Sequence, residues 1–406
     1  MRVSTAQFYQ QSSLQMSNKT ADVNEQMAYL SSGKRILTAK DDAIQYGTLA
    51  GYNDSLANID KYQRNITQAE SHNNSQEVIF SNAEDILNNI NEKMLQANNG
   101  AMSNEDLQAI ADEVRNGLDQ ILDLANTQNE NGDYIFSGYQ TDQQPFSQKT
   151  DGSVSYNGDS GVRELQISKN INIVTSQSGD ASFMNIANAI GDFTASYPTV
   201  NANTSGMALS SANVTDRSTY NTSSMPHNYT FNFDAITADL TVTDSGGNDT
   251  VFPVSSYTGG QTISFDGIEV TLSGNPLPGE SFNMSAEEEI SIFDTLNDAI
   301  SWIEQGVVST DTEQHQVEYN AILDQLNLSM IHITSRRIDS GVRLQVLESQ
   351  ESRHLDEELN ISTNKSTIED LDYAKAISAF EQSQTALTAS QQTFSTVQGL
   401  SLFNYI

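Results

Sequence analysis

The chain contains no cysteine. That removes disulfides, thiolate metal sites and a cysteine nucleophile together. Basic residues are scarce: 19 Lys and Arg stand against 53 Asp and Glu, for a net charge of −34. Phosphate backbones and anionic membrane surfaces both call for clustered Lys and Arg, so neither nucleic acid nor membrane is expected as a partner. Long apolar runs are also missing. No stretch approaches the roughly 20 apolar residues of a membrane span. The opening MRVSTAQFYQQSS lacks the apolar core of a cleavable signal peptide.

Catalytic patterns are missing as well. The histidines are His72, His227, His315, His332 and His354, and none stands at metal-ligand spacing from another. There is no H-E-x-x-H, no P-loop and no G-x-G-x-x-G behind a strand. DSGGND, from Asp244 to Asp249, lacks the order and closing Glu of a calcium loop and reads as a turn between strands. Glu287, Glu288 and Glu289 precede a helical pattern, where acids complement the helix dipole rather than form a catalytic pair. We expect no enzyme, no cofactor and no metal.

What is present is helix at both ends and strand between. With 406 residues the chain has length for two or three domains. A hydrophobic content of 37% and a mean hydropathy of −0.46 suit an elongated, surface-rich architecture. Ala6, Tyr9, Ser13, Met16, Thr20, Val23, Met27 and Leu30 step by three and four, a heptad seam of modest and partly polar residues. The polar tract YLSSGKRILTAKDDA follows, from Tyr29 to Ala43, and Gly33 marks a helix end within it.

A stronger seam comes next. Ile59, Ile66, Asn73, Phe80, Leu87 and Met94 repeat every seven residues, with Tyr62, Ala69, Gln76, Ala83, Ile90 and Ala97 three positions later. A helix from Asp42 to Asn98 would span about 85 Å at ~1.5 Å per residue. Asn73 and Gln76 break the seam, either to fix register or because they face solvent. Ser103 and Asp106 have capping-box spacing. They open a third stripe, Leu107, Ala111, Val114, Leu118, Ile121 and Ala125, expected to pair with the long helix as a hairpin.

Gly, Ser, Thr, Asn and Asp dominate from 142 to 286, and alternation of period two appears. VSYNGDSGVRELQI reads as two short strands around a turn. YTFNF alternates, and ISFDGIEVTL carries Asp-Gly between apolar runs, a hairpin signal. SFMNIANAIGDF suggests a small helical insert, and the stretch 196–228 has no assignable pattern. Helix returns at Phe293, Leu296, Ile300 and Ile303. A seam then runs Tyr319, Leu323, Leu326, Met330, Ile333, Arg337, Ser340, Leu344 and Leu347, weakening to Ile361. The last segment has one stripe through Ile377, Phe380, Leu387 and Phe394, beside another of mostly small residues that includes Val397.

The expected fold is α+β and elongated. Long N- and C-terminal helices form a coiled coil and helix bundle, with an antiparallel β domain inserted in the middle. The expected boundaries are 1–42 with 362–406 for a terminal coiled coil, 43–141 with 287–361 for the inner bundle, and 142–286 for the β domain. The terminal seams are too weakly apolar to bury themselves in one subunit. They are expected to be disordered in the monomer and to fold against neighbours.

LSSGKRILTAKDDA before a long heptad helix resembles the N-terminal signature of the bacterial flagellin family. TIEDLDYAKAISAFEQSQTALTASQQTFSTVQ is similar to that family's C-terminal helix. NENGDYIFSGYQTDQQPF and GLSLFNYI resemble the family's hook–filament junction members more than its filament subunits. The helical likeness covers about the first 146 and last 115 residues, and the β region matches only loosely. The resemblance implies a structural adaptor, secreted through the flagellar type III apparatus with an export chaperone. It would form a ring between a hook-side junction protein and flagellin, with the β domain outermost. It also implies a subunit interface at Met16, Val23, Met27, Leu30, Arg35, Asp41, Asp42, Ile377, Phe380, Leu387, Phe394 and Val397. A flagellin proper and a secreted coiled-coil adhesin or effector are the competing readings.

Overall fold

A computed structural model describes residues 2–198, 204–306 and 312–399. The terminal seams form helices α1 (Arg2–Ser32) and α7 (Tyr373–Gly399). The strong seam forms α2 (Ala43–Ala97), followed by α3 (Asn104–Ala125). A short helix α4 (Arg217–Tyr220) lies within the β region, and α5 (Ile292–Gly306) and α6 (Thr312–Glu369) follow it. Contacts divide the chain into two compact units, 1–64 with 349–406, and 65–348.

In the second unit the heptad pattern does what its spacing requires. Ile66, Phe80, Leu87 and Met94 are buried, as are Ala69, Ala83 and Ile90. The α3 stripe closes on those from Phe80 to Met94 together with Phe293, Leu296, Ile300 and Ile303 of α5. The capping box forms: Ser103 Oγ accepts from Asp106 N and Asp106 Oδ2 from Ser103 N, both at 3.2 Å. On α6, Tyr319, Leu326, Ile333, Ser340 and Leu347 are buried. Arg337 of the same seam lies at its edge and reaches Glu77 at 2.8 Å and Glu84 at 3.1 Å on α2.

The inserted region packs as two bodies. Strands β1 (Phe146–Gln148) and β2 (Val154–Tyr156) form one antiparallel pair, and β3 (Glu164–Ser168) and β4 (Ile171–Val174) another. VSYNGDSGVRELQI therefore holds two strands that are not partners. Tyr156 pairs back to Phe146, and Asp159 Oδ1 closes the intervening loop on the amides of Tyr139 and Gly161. Ile167 and Ile173 of the β3–β4 hairpin pack on Ile66, Ala69 and Leu347 of the helices.

Asn73 and Gln76 receive the end of that hairpin. Both are fully buried, so their break in the seam is not solvent exposure. Asn73 Nδ2 donates to Val174 O at 3.2 Å and Gln76 Nε2 to Thr175 O at 2.8 Å.

The second body has its own core, from Phe193 to Met284. After β5 (Ile186–Ala187), β6 (Phe193–Ser196) and β7 (Ala208–Val214) come β8 (Asn228–Phe233), β9 (Leu240–Asp244) and β10 (Asp249–Phe252). Then follow β11 (Thr262–Phe265), β12 (Ile268–Ser273), β13 (Ser281–Ala286) and β14 (Glu289–Ile290). One sheet has the order β10-β9-β8-β13-β6 and a second β11-β12-β7, while β14 pairs with β5. Tyr229, Phe231 and Phe233 point inward from β8, as their alternation requires. Asp266 and Gly267 turn the β11–β12 hairpin with φ of 49° and 78°, the paired positive values of a tight hairpin turn.

DSGGND is the β9–β10 turn, with Asn248 N and Nδ2 donating to Asp244. The expected helical insert is a single π-helical turn, Asp180–Met184. The unassigned stretch contains β7 and α4, and its residues 199–203 lie outside the described ones. Glu287–Glu289 do not begin α5 as expected. Glu289 pairs in β14, and Ser291 caps the helix, its Oγ accepting from Asp294 N at 3.0 Å.

Five phenylalanines join these parts. Phe183 in the π turn has ring centroids 6.0, 5.2, 5.7 and 6.4 Å from those of Phe80, Phe136, Phe146 and Phe293. All five are fully buried. One ring thus touches α2, the segment after α3, β1 and α5. Truncating it leaves a cavity among four rings. Phe183→Ala is expected to destabilise this unit by about 3–5 kcal/mol, against under about 0.5 kcal/mol for Ile236→Ala at an exposed site. Denaturant unfolding of both variants measures the difference.

Candidate assembly site

The helices of the first unit break twice, and the breaks lie side by side. Helix α1 ends where Gly33 N donates to Tyr29 O at 2.9 Å. Gly33 has φ +70°, and a Cβ there would stand 2.8 Å from Tyr373 Oη, so both backbone and space select glycine. The next residues pair with the chain between α6 and α7. Arg35 N donates to Glu369 O at 2.7 Å and Leu371 N to Gly33 O at 3.0 Å, around an antiparallel Lys34–Asp370 bridge.

Side chains close the same junction. Lys34 Nζ lies 2.5 Å from Glu369 Oε1, with Lys365 3.7 Å from the other oxygen. Arg35 Nη2 donates to Ile368 O at 2.8 Å and to Gln45 Oε1 at 2.6 Å. Asp42 Oδ1 caps α2 through the amides of Ile44 and Gln45. Asp372 does the same for α7 through Lys375 N.

Asp41 folds the tract on itself. Its Oδ2 accepts from Leu37 N and Thr38 N, each at 2.9 Å, and its Oδ1 from the Tyr29 hydroxyl at 2.8 Å. The Thr38 amide, the Tyr29 hydroxyl and the Leu37 amide, in that order, hold the carboxyl down to about 2. Burial first, then Asp41, pushes Tyr29 up to about 12.

The terminal helices pair with each other, the Tyr9 and Phe394 rings meeting edge-on at 6.0 Å. Yet no described side chain of α1 is buried, and on α7 only Ala376 is. Met16, Val23, Leu30, Phe380, Leu387 and Phe394 are half-buried, while Met27 and Ile377 are each 51% exposed. Val397 lies outside the described side chains. Of the expected interface residues, then, the helical ones share a pair with an unfinished core. Arg35, Asp41 and Asp42 have partners within their own subunit. Sequence reasoning missed Ile368 and Glu369, which hold the tract from the far side of the junction, Tyr29 at its start, whose hydroxyl donates to Asp41, and Tyr373, which stands close to Gly33. The only signal was the capping spacing of Asp372, since neither Gly nor Pro marks the second break.

Among the described residues no cluster of His, Asp and Glu could hold a metal ion.

Asp41 gives the junction a pH signature. A carboxyl held below its ordinary value near 4 favours the folded tract fully above that value. Its contribution is lost as pH falls from about 4 towards about 2. Carbon NMR titration of the Asp41 carboxyl is expected to give a midpoint near 2 in the native chain, whereas a midpoint near 4 would show the two amide bonds absent.

Known proteins share this architecture. The family model for the bacterial flagellin N-terminal helical region matches residues 3–141, and that for a D2-like domain of flagellar hook-associated protein 1 matches residues 199–286. Flagellar hook-associated protein 3 of Escherichia coli K12 is 24% identical over 407 residues, covering 99% of each chain. Flagellin 1 of Proteus mirabilis is 33% identical, but over only 27% of this chain. FlgL of Xanthomonas campestris shares the fold with a TM-score of 0.62 at 24% identity, over 78% of this chain and all of that one. The flagellar hook-associated protein 3 structure from Legionella pneumophila superposes with a TM-score of 0.65 at 30% identity, over 78% of this chain and 98% of that one. With that identity across nearly the whole of a relative, the chain belongs to the flagellar hook-associated protein 3 family.

Proposed function

We propose that the chain is a structural adaptor of the bacterial flagellum, a ring that links a hook-side junction protein to the flagellin filament. The observation that carries this reading is the terminal pair. Among the described residues, helices α1 and α7 align apolar stripes but complete no buried core between them, whereas the α2 seam from Ile66 to Met94 is fully buried. Half-buried aliphatic rows leave apolar area in water, at roughly 25 cal/mol per Å². Other subunits with like helices can cover it, which makes assembly the step that finishes folding.

Family membership supplies the setting, and the relatives are structural flagellar proteins rather than enzymes. The flagellin reading is weaker, because flagellin matches span about a quarter of the chain. In this proposal the protein leaves the cell through the flagellar export apparatus, attended by a chaperone, and self-associates outside. Neither nucleic acid nor membrane takes part. The acidic surface keeps the exported chain soluble at high local concentration.

A strain lacking this gene is expected to build hooks of normal number and length and to shed flagellin into the medium. Electron microscopy of the cells and immunoblots of the supernatant read the outcome. Filaments of normal length on such cells would defeat the adaptor role.

A further inference from the structure

A cleft opens beside the paired helix breaks. It has a volume of about 270 Å³ and is lined by Ile36, Leu37, Tyr46 and Leu49, with the Lys34–Glu369 ion pair. Ile36 and Leu49 are buried, while Tyr46 is 43% exposed. The lining is mixed: an apolar wall of Ile36, Leu37, Leu49 and Ala50 with the Tyr46 ring stands opposite Asn53 and the Lys34–Glu369 ion pair.

We propose that this cleft receives the segment Leu400–Ile406 of a second copy of the chain. The inference deepens the assembly reading above and rests on it. The apolar wall suits the segment, LSLFNYI, which has no charged side chain and offers Leu400, Leu402, Phe403, Tyr405 and Ile406 as apolar anchors. Length excludes the copy's own cleft. Helix α7 begins next to the cleft, since Leu371 is bonded to Gly33 and Glu369 lines the wall. Its 27 residues carry the chain about 40 Å away at ~1.5 Å each. Fully extended, the following segment reaches back at most about 25 Å. The contact therefore runs between copies, with the segment of one in the joint of the next. That is a heterologous, head-to-tail contact, of the kind that closes a ring when its rotation closes. It also ties the apolar segment to the place where both terminal helices are anchored.

Two full-length single-cysteine variants test this, because no natural cysteine competes. Leu37→Cys marks the cleft and Phe403→Cys the segment. Both are expressed together in cells lacking the natural gene, and flagella are oxidised and run without reductant. Docked thiols share a high effective concentration, so the mixed dimer is expected at least about tenfold above that of a Tyr139→Cys and Phe403→Cys control pair. Incorporation of both variants with no dimer, or with no excess over control, overturns the contact and leaves the adaptor reading standing. A disulfide-linked pair is likewise sought with Phe403→Cys and Asn53→Cys, on another wall of the cleft, in case Leu37→Cys does not assemble. The same mixtures oxidised in concentrated solution give a second measurement, where absence of excess dimer also counts against the contact. Natural chain absent from isolated flagella would instead defeat the adaptor reading.

Discussion

Two backbone hydrogen bonds, Arg35 N to Glu369 O and Leu371 N to Gly33 O, set what the rest of the first unit can do. They join two helix breaks more than 300 residues apart in the chain, so α1 and α7 start from one anchored point. Everything local serves that pairing. Gly33 supplies the left-handed turn, Asp41 gathers the loop amides, and Asp42 and Asp372 restart the helices. The charges of the tract are spent holding this geometry, with Lys40, paired loosely to Glu25, left mostly in water. Without the anchor the two terminal stripes would have no common register, and two weak seams would have to find each other unaided.

The two units answer opposite demands. In the second, Phe183 meets four rings, and Asn73 and Gln76 each donate once to the hairpin backbone and once to a carbonyl of their own helix. That is a body complete on its own. In the first unit the helical pair retains Met27 and Ile377 half in water, along with Leu14 at 60% exposure. Under the proposed adaptor role the two parts divide the work, one complete in the single chain and one whose apolar faces neighbours would cover.

Much of this was legible because heptad spacing maps directly onto burial. The α2 seam, the Ser103 capping box, the Asp266-Gly267 hairpin and the inward ring alternation of β8 all follow from local periodicity and turn chemistry. What was not legible depends on distant partners. Nothing near Phe183 announces that it will sit among four rings from four segments. The partner of β2 lies upstream, so a reading of its downstream neighbours paired it wrongly. The second helix break has no Gly or Pro, and Asp370–Asp372 shows as a break only when Gly33 is seen opposite. Arg35 and Asp41, expected at a subunit interface, also have partners within the subunit, Ile368 and Tyr29, which face them from other turns of chain.

The central claim is that α1 and α7 reach full stability only against other subunits. Amide hydrogen exchange on the purified monomer and on assembled flagella tests it most directly. The account predicts rapid exchange through α1 and α7 in the monomer, slow exchange through the buried seam of α2 from Ile66 to Met94, and strong protection of the terminal helices once assembled. Terminal helices as protected in the isolated monomer as that seam would contradict it.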